Sequence, residues 1–489
     1  MSMIKAENLT FSYPGSYNNV FENCSFQIDT DWKLGFVGRN GRGKTTFLNL
    51  LMNKYKYSGR IISSVEFDYF PYAVGDKEML TINVLYEVCQ TAEDWEFIRE
   101  LSYLDIDSDV LFRPFKTLSN GEQTKVLLAA LFLNEGHFLL IDEPTNHLDI
   151  KGRKLVSDYL NKKKGFILVS HDRRFLDGCV DHILSLNRAG IEVQSGNFSS
   201  YITNFERNQA FENAQNEILK KEIHHLKNAA KKASSWSQKT ESSKYGSGPV
   251  DRGYIGHKSA KMMKRAKSME ARKLKAVEEK SALLKNAETA ESLKLSPLAH
   301  HSEKLAVFSE VSISYDGHAI FEPLSFEIKQ GERIALTGKN GSGKSSVIRL
   351  LSGQDIAHSG MVLLASGLII SYLPQDTSFL EGNLSDFAKE NKIDEPLFKA
   401  ILRKLDFERI QFEKDIKDFS EGQKKKVLIA KSLCEKAHLY IWDEPLNFID
   451  IYSRMQIEKL IQEFSPTMLF VEHDRAFLEL ISTKEVHIE

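Results

Sequence analysis

The 489-residue sequence predicts an α/β fold built twice, with the two copies joined by a long α-helical hairpin. Two observations predict it. An apolar strand, a Gly-rich turn and a helix start, LGFVGRNGRGKTT from Leu34 to Thr46, return about 300 positions later as IALTGKNGSGKSS from Ile334 to Ser346. Between the copies, Lys227 to Lys275 holds fourteen Lys or Arg residues against three acids (Glu241, Asp251, Glu270). That is a local charge of +11 in a chain of formal charge −2, so the remainder carries −13. We read 1–205 and 301–489 as the two α/β domains and 206–300 as the hairpin between them.

Each turn has the P-loop spacing G-x-x-x-x-G-K-[ST]. Glycines let backbone N–H groups wrap a phosphate, and the helix N-terminus adds its positive end. The lysine bridges the outer phosphates and the hydroxyl binds Mg2+. A nucleoside triphosphate cradle is therefore expected at Gly38, Asn40, Gly41, Gly43, Lys44, Thr45 and Thr46. The second copy supplies Gly338, Asn340, Gly341, Gly343, Lys344, Ser345 and Ser346. One match can arise by chance, whereas two in the same context point to a pair of nucleotide domains.

Downstream in each half an apolar strand ends in two acids, HFLLIDEP with Asp142 and Glu143 and HLYIWDEP with Asp443 and Glu444. A strand buried in a parallel sheet presents its last side chains at the carboxyl edge, where ligands bind. The first acid is placed to hold Mg2+, and the second to polarise the attacking water. FILVSHD and MLFVEHD follow, each a strand and then a polar switch, so His171 and His473 could reach the outermost phosphate. A lone histidine is more often a satisfied core residue; two in matching positions favour the site.

The hairpin is read from periodicity. From Glu206 to about Ala233 there is no Pro or Gly, and Phe211, Leu219, Ile223, Leu226 and Ala230 recur at spacings near three and four. A second run from about Lys258 to Lys285 carries Met263, Ala266, Leu274, Val277 and Leu284. A helix of about 28 residues spans roughly 42 Å, so the tip reaches far. The tip, about 234–257, holds Gly246, Gly248, Pro249, Gly253 and Gly256. Trp236, Tyr245 and Tyr254 stand there among Lys239, Lys244 and Arg252, the mixture that unstacked RNA bases and phosphates call for. The alternative is a solvated charged linker.

Composition excludes other classes. The longest apolar run, VLLAALFL from Val126 to Leu133, is eight residues, far short of a membrane span. MSMIKAENLTFSY lacks the apolar core of a signal peptide. Cys24, Cys89, Cys179 and Cys434 show no metal or disulfide spacing. A cytoplasmic protein with reduced thiols is expected.

LSNGEQTK (Leu118 to Lys125) and FSEGQKKK (Phe419 to Lys426), each shortly before its DEP strand, resemble the signature motif of ATP-binding cassette (ABC) proteins. Two cassettes without a membrane domain, EPTNHLD from Glu143 to Asp149, and a charged joining hairpin look like the ABC-F class of translation factors. Within it the chain is similar to ribosome protection proteins of the lincosamide, streptogramin A and pleuromutilin type. The resemblance implies an ATPase that binds ATP and Mg2+ as an intramolecular pseudo-dimer in a monomer. It also implies contact with large-subunit rRNA of the bacterial ribosome and with P-site tRNA.

In that family the cassettes face head to tail. Site one would combine Lys44, Thr45, Asp142, Glu143 and His171 with Ser420 and Gly422. Site two would combine Lys344, Ser345, Gln375, Asp443, Glu444 and His473 with Ser119 and Gly121, the Gln375 amide serving Mg2+ and water. Tyr13 and Tyr315 resemble the aromatics that stack on adenine; packing of either on its sheet is the other reading. The chain also departs from the pattern. YFPY puts Tyr72 where YLPQ puts Gln375, and EPLNFID loses the Thr and His of EPTNHLD. Unequal sites are expected.

Lys44 to Ser119 is 75 positions and Lys344 to Ser420 is 76, so no long insertion marks an arm subdomain. The sequence runs 16 residues past His473, with no basic tail expected there, so ribosome contact should rest mostly on the hairpin. Three function classes stand: a drug-displacing ribosome protection ATPase, a housekeeping translation factor of the same fold, and the ATPase pair of a transporter. The +11 rod argues against the last, because phosphate binding has an evident use for it.

Overall fold

The computed structural model describes residues 2–15, 19–187, 190–242, 264, 268, 272, 293–315, 318–339 and 341–488. It divides into two compact units, Met1–Tyr201 with Ala290–Glu489, and Ile202–Thr289. The first unit contains both P-loop halves.

Strands of the first half are β1 (Met3–Phe11), β2 (Phe21–Asp29), β3 (Lys33–Gly38), β4 (Ser58–Ser63), β5 (Glu66–Phe70), β6 (His137–Asp142), β7 (Phe166–Val169), β8 (His182–Asn187) and β9 (Gly190–Ser195). They form an antiparallel sheet β2-β1-β4 and a larger sheet β5-β6-β7-β3-β8-β9, parallel except at the β8–β9 edge. The second half repeats this with β10 (Lys304–Tyr315), β11 (His318–Ala319), β12 (Leu324–Lys329), β13 (Arg333–Gly338), β14 (His358–Leu364), β15 (Ile370–Leu373), β16 (Leu439–Asp443), β17 (Met468–Val471) and β18 (Lys484–Ile488). Its parallel order is β15-β16-β17-β13-β18. The unbroken apolar runs that marked these strands are buried on both faces: Leu34, Phe36, Leu140, Ile141 and Ile167 are fully enclosed.

Register places the chemistry. Phe36 of β3 and Asp142 of β6 both pair with Val169 of β7, so the P-loop, the two acids and His171 leave the sheet along one row. Leu336, Val471 and Asp443 make the same row in the second half. The P-loop helix Lys44–Leu51 is pinned beneath by Phe47, whose ring meets Phe21, Phe26 and Phe36. Burying such a ring is worth about 1.5–3 kcal/mol, which holds the loop on its sheet.

The joining segment differs from the expected hairpin in three respects, and its second helical run, about 258–285, lies outside the described residues apart from 264, 268 and 272. Its first helix starts at Phe198 and runs to Ser242, past the expected end near Ala233. The cause is local: no Gly or Pro occurs before Gly246, so nothing stops the helix at the Ser-rich segment. Trp236 and Lys239 are thus helical, and not part of a loop at the tip. Phe211, which the periodicity puts in the apolar stripe, is 64% exposed, while Ile223 is buried. The unit boundaries fall at 201/202 and 289/290, and Leu293 and Leu295 are already in the second half's core. The side chains of Trp236 and Lys239, and all of Lys244, Tyr245, Arg252 and Tyr254, lie outside the described residues.

Candidate functional site

Gly43 and Gly343 precede the P-loop helices at φ of 97° and 89°, and a Cβ there would meet Val20 at 2.6 Å or the Phe321 ring at 2.7 Å. Glycine is the residue both positions require. The Lys44 ammonium donates to Gly38 O (2.8 Å), Arg39 O (3.4 Å) and Asn40 Oδ1 (3.2 Å), and Lys344 donates to Gly338 O (2.9 Å) and Lys339 O (2.7 Å). Asn340 lies outside the described residues.

Thr45 Oγ1 donates to Asp142 Oδ2 at 3.0 Å, and in the second half the nearby Ser345 hydroxyl favours the Asp443 carboxylate against the burial that raises it. Glu143 and Glu444 follow, each with a left-handed backbone, at φ of 51° and 47°. Such conformations are uncommon outside glycine and gather at functional sites. Each is held by its own N–H, donated to Val169 O (2.9 Å) or Val471 O (3.0 Å). The strain turns both carboxylates back over the sheet edge, where His171 Nε2 lies 3.2 Å from Glu143 Oε1 and His473 Nε2 lies 3.5 Å from Glu444 Oε1. The first contact is not aligned as a hydrogen bond, and Glu143 Oε1 is buried without one.

The two acids sit in different fields. Burial, reinforced by the Asp142 charge, pushes the Glu143 carboxyl up to about 8. Burial acts on Glu444 as well, but His473 and the Gln375 amide, which donates to Glu444 Oε2 at 2.8 Å, outweigh it and the net shift is downward. Burial also lowers the His171 imidazole, with Lys44 and Arg454 adding positive charge nearby. The ionised carboxylate is thus favoured at Glu444 and disfavoured at Glu143.

Tyr72 makes no counterpart of the Gln375 bond among the described contacts; it lines a cavity of about 510 Å3 with Asp142 and Glu143. Its neighbour Tyr69 donates to Asp142 Oδ2 at 3.1 Å. Register brings Tyr69 there: β5 runs parallel to β6 with Tyr69 opposite Leu140, two residues before Asp142.

The halves meet head to tail. Asn40 of the first P-loop donates to Phe448 O at 2.6 Å, and a Cβ on Gly422 would collide with that same carbonyl and lie 2.9 Å from the Asn40 amide. Gly422 thus stands over the first P-loop, on a helix capped by Ser420. In the other direction Ser119 and Gly121 line one cavity of about 930 Å3 with Lys344, Ser345, Gln375, Glu444 and His473. Tyr315 borders it too, its hydroxyl 3.2 Å from Ser346 Oγ, and Tyr13 OH lies 2.6 Å from Thr46 Oγ1. Both tyrosines are more than 40% exposed, and the Tyr13 ring also meets the rings of Phe11 and Tyr55.

Sequence reasoning missed the pairs that fasten site one. Arg39 and Arg42 approach Asp406 across the interface at 3.9 and 3.5 Å, Arg173 pairs with Glu458 and Arg174 with Glu479. The Tyr201 and Tyr452 hydroxyls meet at 2.8 Å. The P-loops differ at two of these positions, GRNGRGKTT against GKNGSGKSS, which is the one signal the sequence held.

Two composite sites, each joining one half's phosphate turn to the other half's signature helix, define a tandem-cassette nucleotide hydrolase. The family described as ABC transporter matches residues 21–146 and 321–447, and the chain belongs to that family as a two-cassette ATPase. It is 28% identical to the ribosome protection protein VmlR of Bacillus subtilis (strain 168), over 98% of this chain and 85% of that one. The ATP-binding protein Uup of Buchnera aphidicola subsp. Acyrthosiphon pisum is 26% identical over 99% of this chain and 80% of its own. The probable ATP-binding protein YbiT of Escherichia coli O157:H7 is 26% identical over 99% and 96%. Among solved structures, the archaeal ribosome recycling factor aABCE1, in complex with stalk protein aP1, shares the fold with TM-score 0.63 at 20% identity, covering 99% of this chain and 87% of that one. Among the described residues no helix is long and apolar enough to cross a membrane.

Proposed function

We propose that this ATPase is an ABC-F ribosome protection protein. It binds the bacterial ribosome near the tRNA exit site, touching large-subunit rRNA and P-site tRNA in the cytoplasm as a monomer. Its hairpin displaces lincosamides, pleuromutilins and streptogramin A from the peptidyl-transferase centre. The observation that carries this reading is the charge of +11 concentrated between two cassettes in a chain that is otherwise acidic. The name of the VmlR relative agrees with it. Minimal inhibitory concentrations in a sensitive bacterium expressing the chain test it. Raised values for those three classes are expected, with macrolides and phenicols included in the panel for spectrum. No change for any drug would leave the second reading, a housekeeping factor of the same fold acting on stalled ribosomes.

In each site the lysine and P-loop amides hold the phosphates, Glu143 or Glu444 takes the proton of the attacking water, and His171 or His473 steadies the outermost phosphate. Asp443 Oδ1 is buried with no hydrogen-bond partner, a hard oxygen suited to Mg2+. Among the described residues no cluster of three or more His, Cys, Asp or Glu could hold a metal alone. Mg2+ suits such a place, because it takes one or two protein oxygens and completes its shell from water and phosphate. Thr45 with Asp142, and Ser345 with Asp443 and Gln375, would supply those oxygens, and the ion would neutralise charge building on the phosphates.

Site two should carry most of the turnover. Glu444→Gln alone is expected to cut steady-state phosphate release by about tenfold or more, and Glu143→Gln alone by less than about threefold, both short of the full range a general base supplies because the other site still turns over. Nucleotide binding measured alongside separates this from coupling between the sites. Equal losses would mean that Tyr72 in place of the glutamine has no consequence.

Ribosome binding should weaken with salt as phosphate contacts release counterions. Replacing Lys239, Lys244 and Arg252 by Ala is expected to flatten the slope of log affinity against log salt by about 2–3. An unchanged slope would remove these three from the RNA interface.

A further inference from the structure

One buried side chain joins the two sites and has no equivalent in the other half. Lys425 is 2% exposed, and its ammonium donates to Pro374 O at 2.9 Å, Gln375 O at 3.3 Å and Asp443 O at 3.2 Å. All three carbonyls belong to the reactive edge of site two, at the ends of β15 and β16. Lys425 itself rides on the helix Glu421–Cys434, whose opening residues Ser420 and Gly422 stand over the P-loop of site one. A single cation therefore ties the backbone that carries the Gln375 and Asp443 side chains to the helix that completes the opposite site.

The matching position in the first half is Thr124, and its hydroxyl is committed to Asn120 O at 2.9 Å, one turn back on its own helix. Around Thr124 lies the cavity of about 510 Å3 that Tyr72, Asp142 and Glu143 also line. The next lysine keeps one partner in both halves, Lys125 donating to Leu104 O at 3.1 Å and Lys426 to Leu405 O at 2.9 Å, and Lys426 adds a bond to Asp450 Oδ2 at 2.8 Å within its own half. Charge-assisted bonds from a buried ammonium are strong, and leaving one unmade is costly. Helix and site-two edge must shift together; the first half lacks that constraint.

We propose that Lys425 is a positioning residue that couples the two sites, so that nucleotide at site two seats Ser420 and Gly422 over nucleotide at site one and each nucleotide tightens the other by the same factor. This rests on the assignment of both P-loops as ATP sites. Nucleotide that draws Gln375 and Asp443 inward moves the Lys425 helix with them. The first half supplies no second link of this kind between Ser119 and Gly121 and its own sheet edge, because the Thr124 hydroxyl is spent on Asn120 O.

The test uses the full chain carrying Glu143→Gln and Glu444→Gln, with a fluorescent methylanthraniloyl ATP as probe. Removing site two by Lys344→Ala is expected to weaken site one by about fivefold or more when Lys425 is present, and by less than about twofold in Lys425→Met, a range typical of site-to-site coupling. Met keeps the buried volume, and Lys425→Thr, the residue the first half already accommodates, repeats the test if Met disturbs packing. By linkage, Lys44→Ala should weaken site two by the same factor in the parental chain and by equally little in Lys425→Met. Thr124→Lys is expected to increase that effect by creating the missing link. An equal response of site one to Lys344→Ala in the parental, Met and Thr chains overturns the proposal. So does a loss of site-one affinity in Lys425→Met that persists once Lys344 is replaced, since that marks a structural role. If Lys344→Ala still leaves two nucleotides bound per chain, the ATP-site assignment has failed instead.

Discussion

The chain carrying both Glu143→Gln and Glu444→Gln should bind ATP as the parent does and turn it over about a hundred- to ten-thousand-fold more slowly, the contribution expected of a positioned general base. The amide keeps the shape of the carboxyl and gives up the proton acceptor. Nothing else in the cradle changes: Lys44 and Lys344 hold their loops, and each glutamate's backbone N–H stays on Val169 or Val471. Binding without hydrolysis would keep the halves closed, so the double variant should accumulate on ribosomes and slow growth when expressed. Phosphate release under saturating ATP measures the first effect, and sedimentation with ribosomes the second. Turnover at the parental rate would remove both acids from the chemistry.

Much of the site could be read before the fold was seen, because its parts are local. A P-loop declares itself through glycines at fixed offsets, and Gly43 and Gly343 have the positive φ that such a turn needs. The strands ending in Asp142 and Asp443 were legible because parallel strands buried on both faces are apolar throughout. The head-to-tail pairing of Gly422 with the first P-loop came from resemblance alone, since no spacing within one half states which surface meets the other. What stayed hidden depended on tertiary neighbours. Nothing in EGQKKKVL says that Lys425 turns inward to three carbonyls while Lys424 stays near the surface by Glu421. Burial without a partner separates Glu143 from Glu444, and two identical DEP tripeptides cannot show that difference. The hairpin's first helix ran on to Ser242 because serines and a tryptophan weaken a helix far less than the glycines that follow.

The sharpest division between an anchoring hairpin and a drug-displacing one lies at its tip. Salt-dependent affinity comes from charges spread along Lys227 to Lys275, so removing a few tip residues leaves most of it in place. Stacking by tip aromatics is worth about 1–3 kcal/mol per base, enough to reshape a drug site locally and small beside the binding of the whole particle. Loss of the tip should therefore separate binding from protection. Replacing 244–256, which contains Tyr245, Arg252 and Tyr254, by a short Gly/Ser turn leaves the cassettes and the first hairpin helix intact. The deciding measurement is the minimal inhibitory concentration of a lincosamide and a pleuromutilin for cells expressing this variant, with ribosome binding and ATPase activity measured on the same protein. The account predicts near-parental binding and turnover with protection gone; protection retained at the parental level would contradict it and leave a translation factor whose hairpin only holds tRNA.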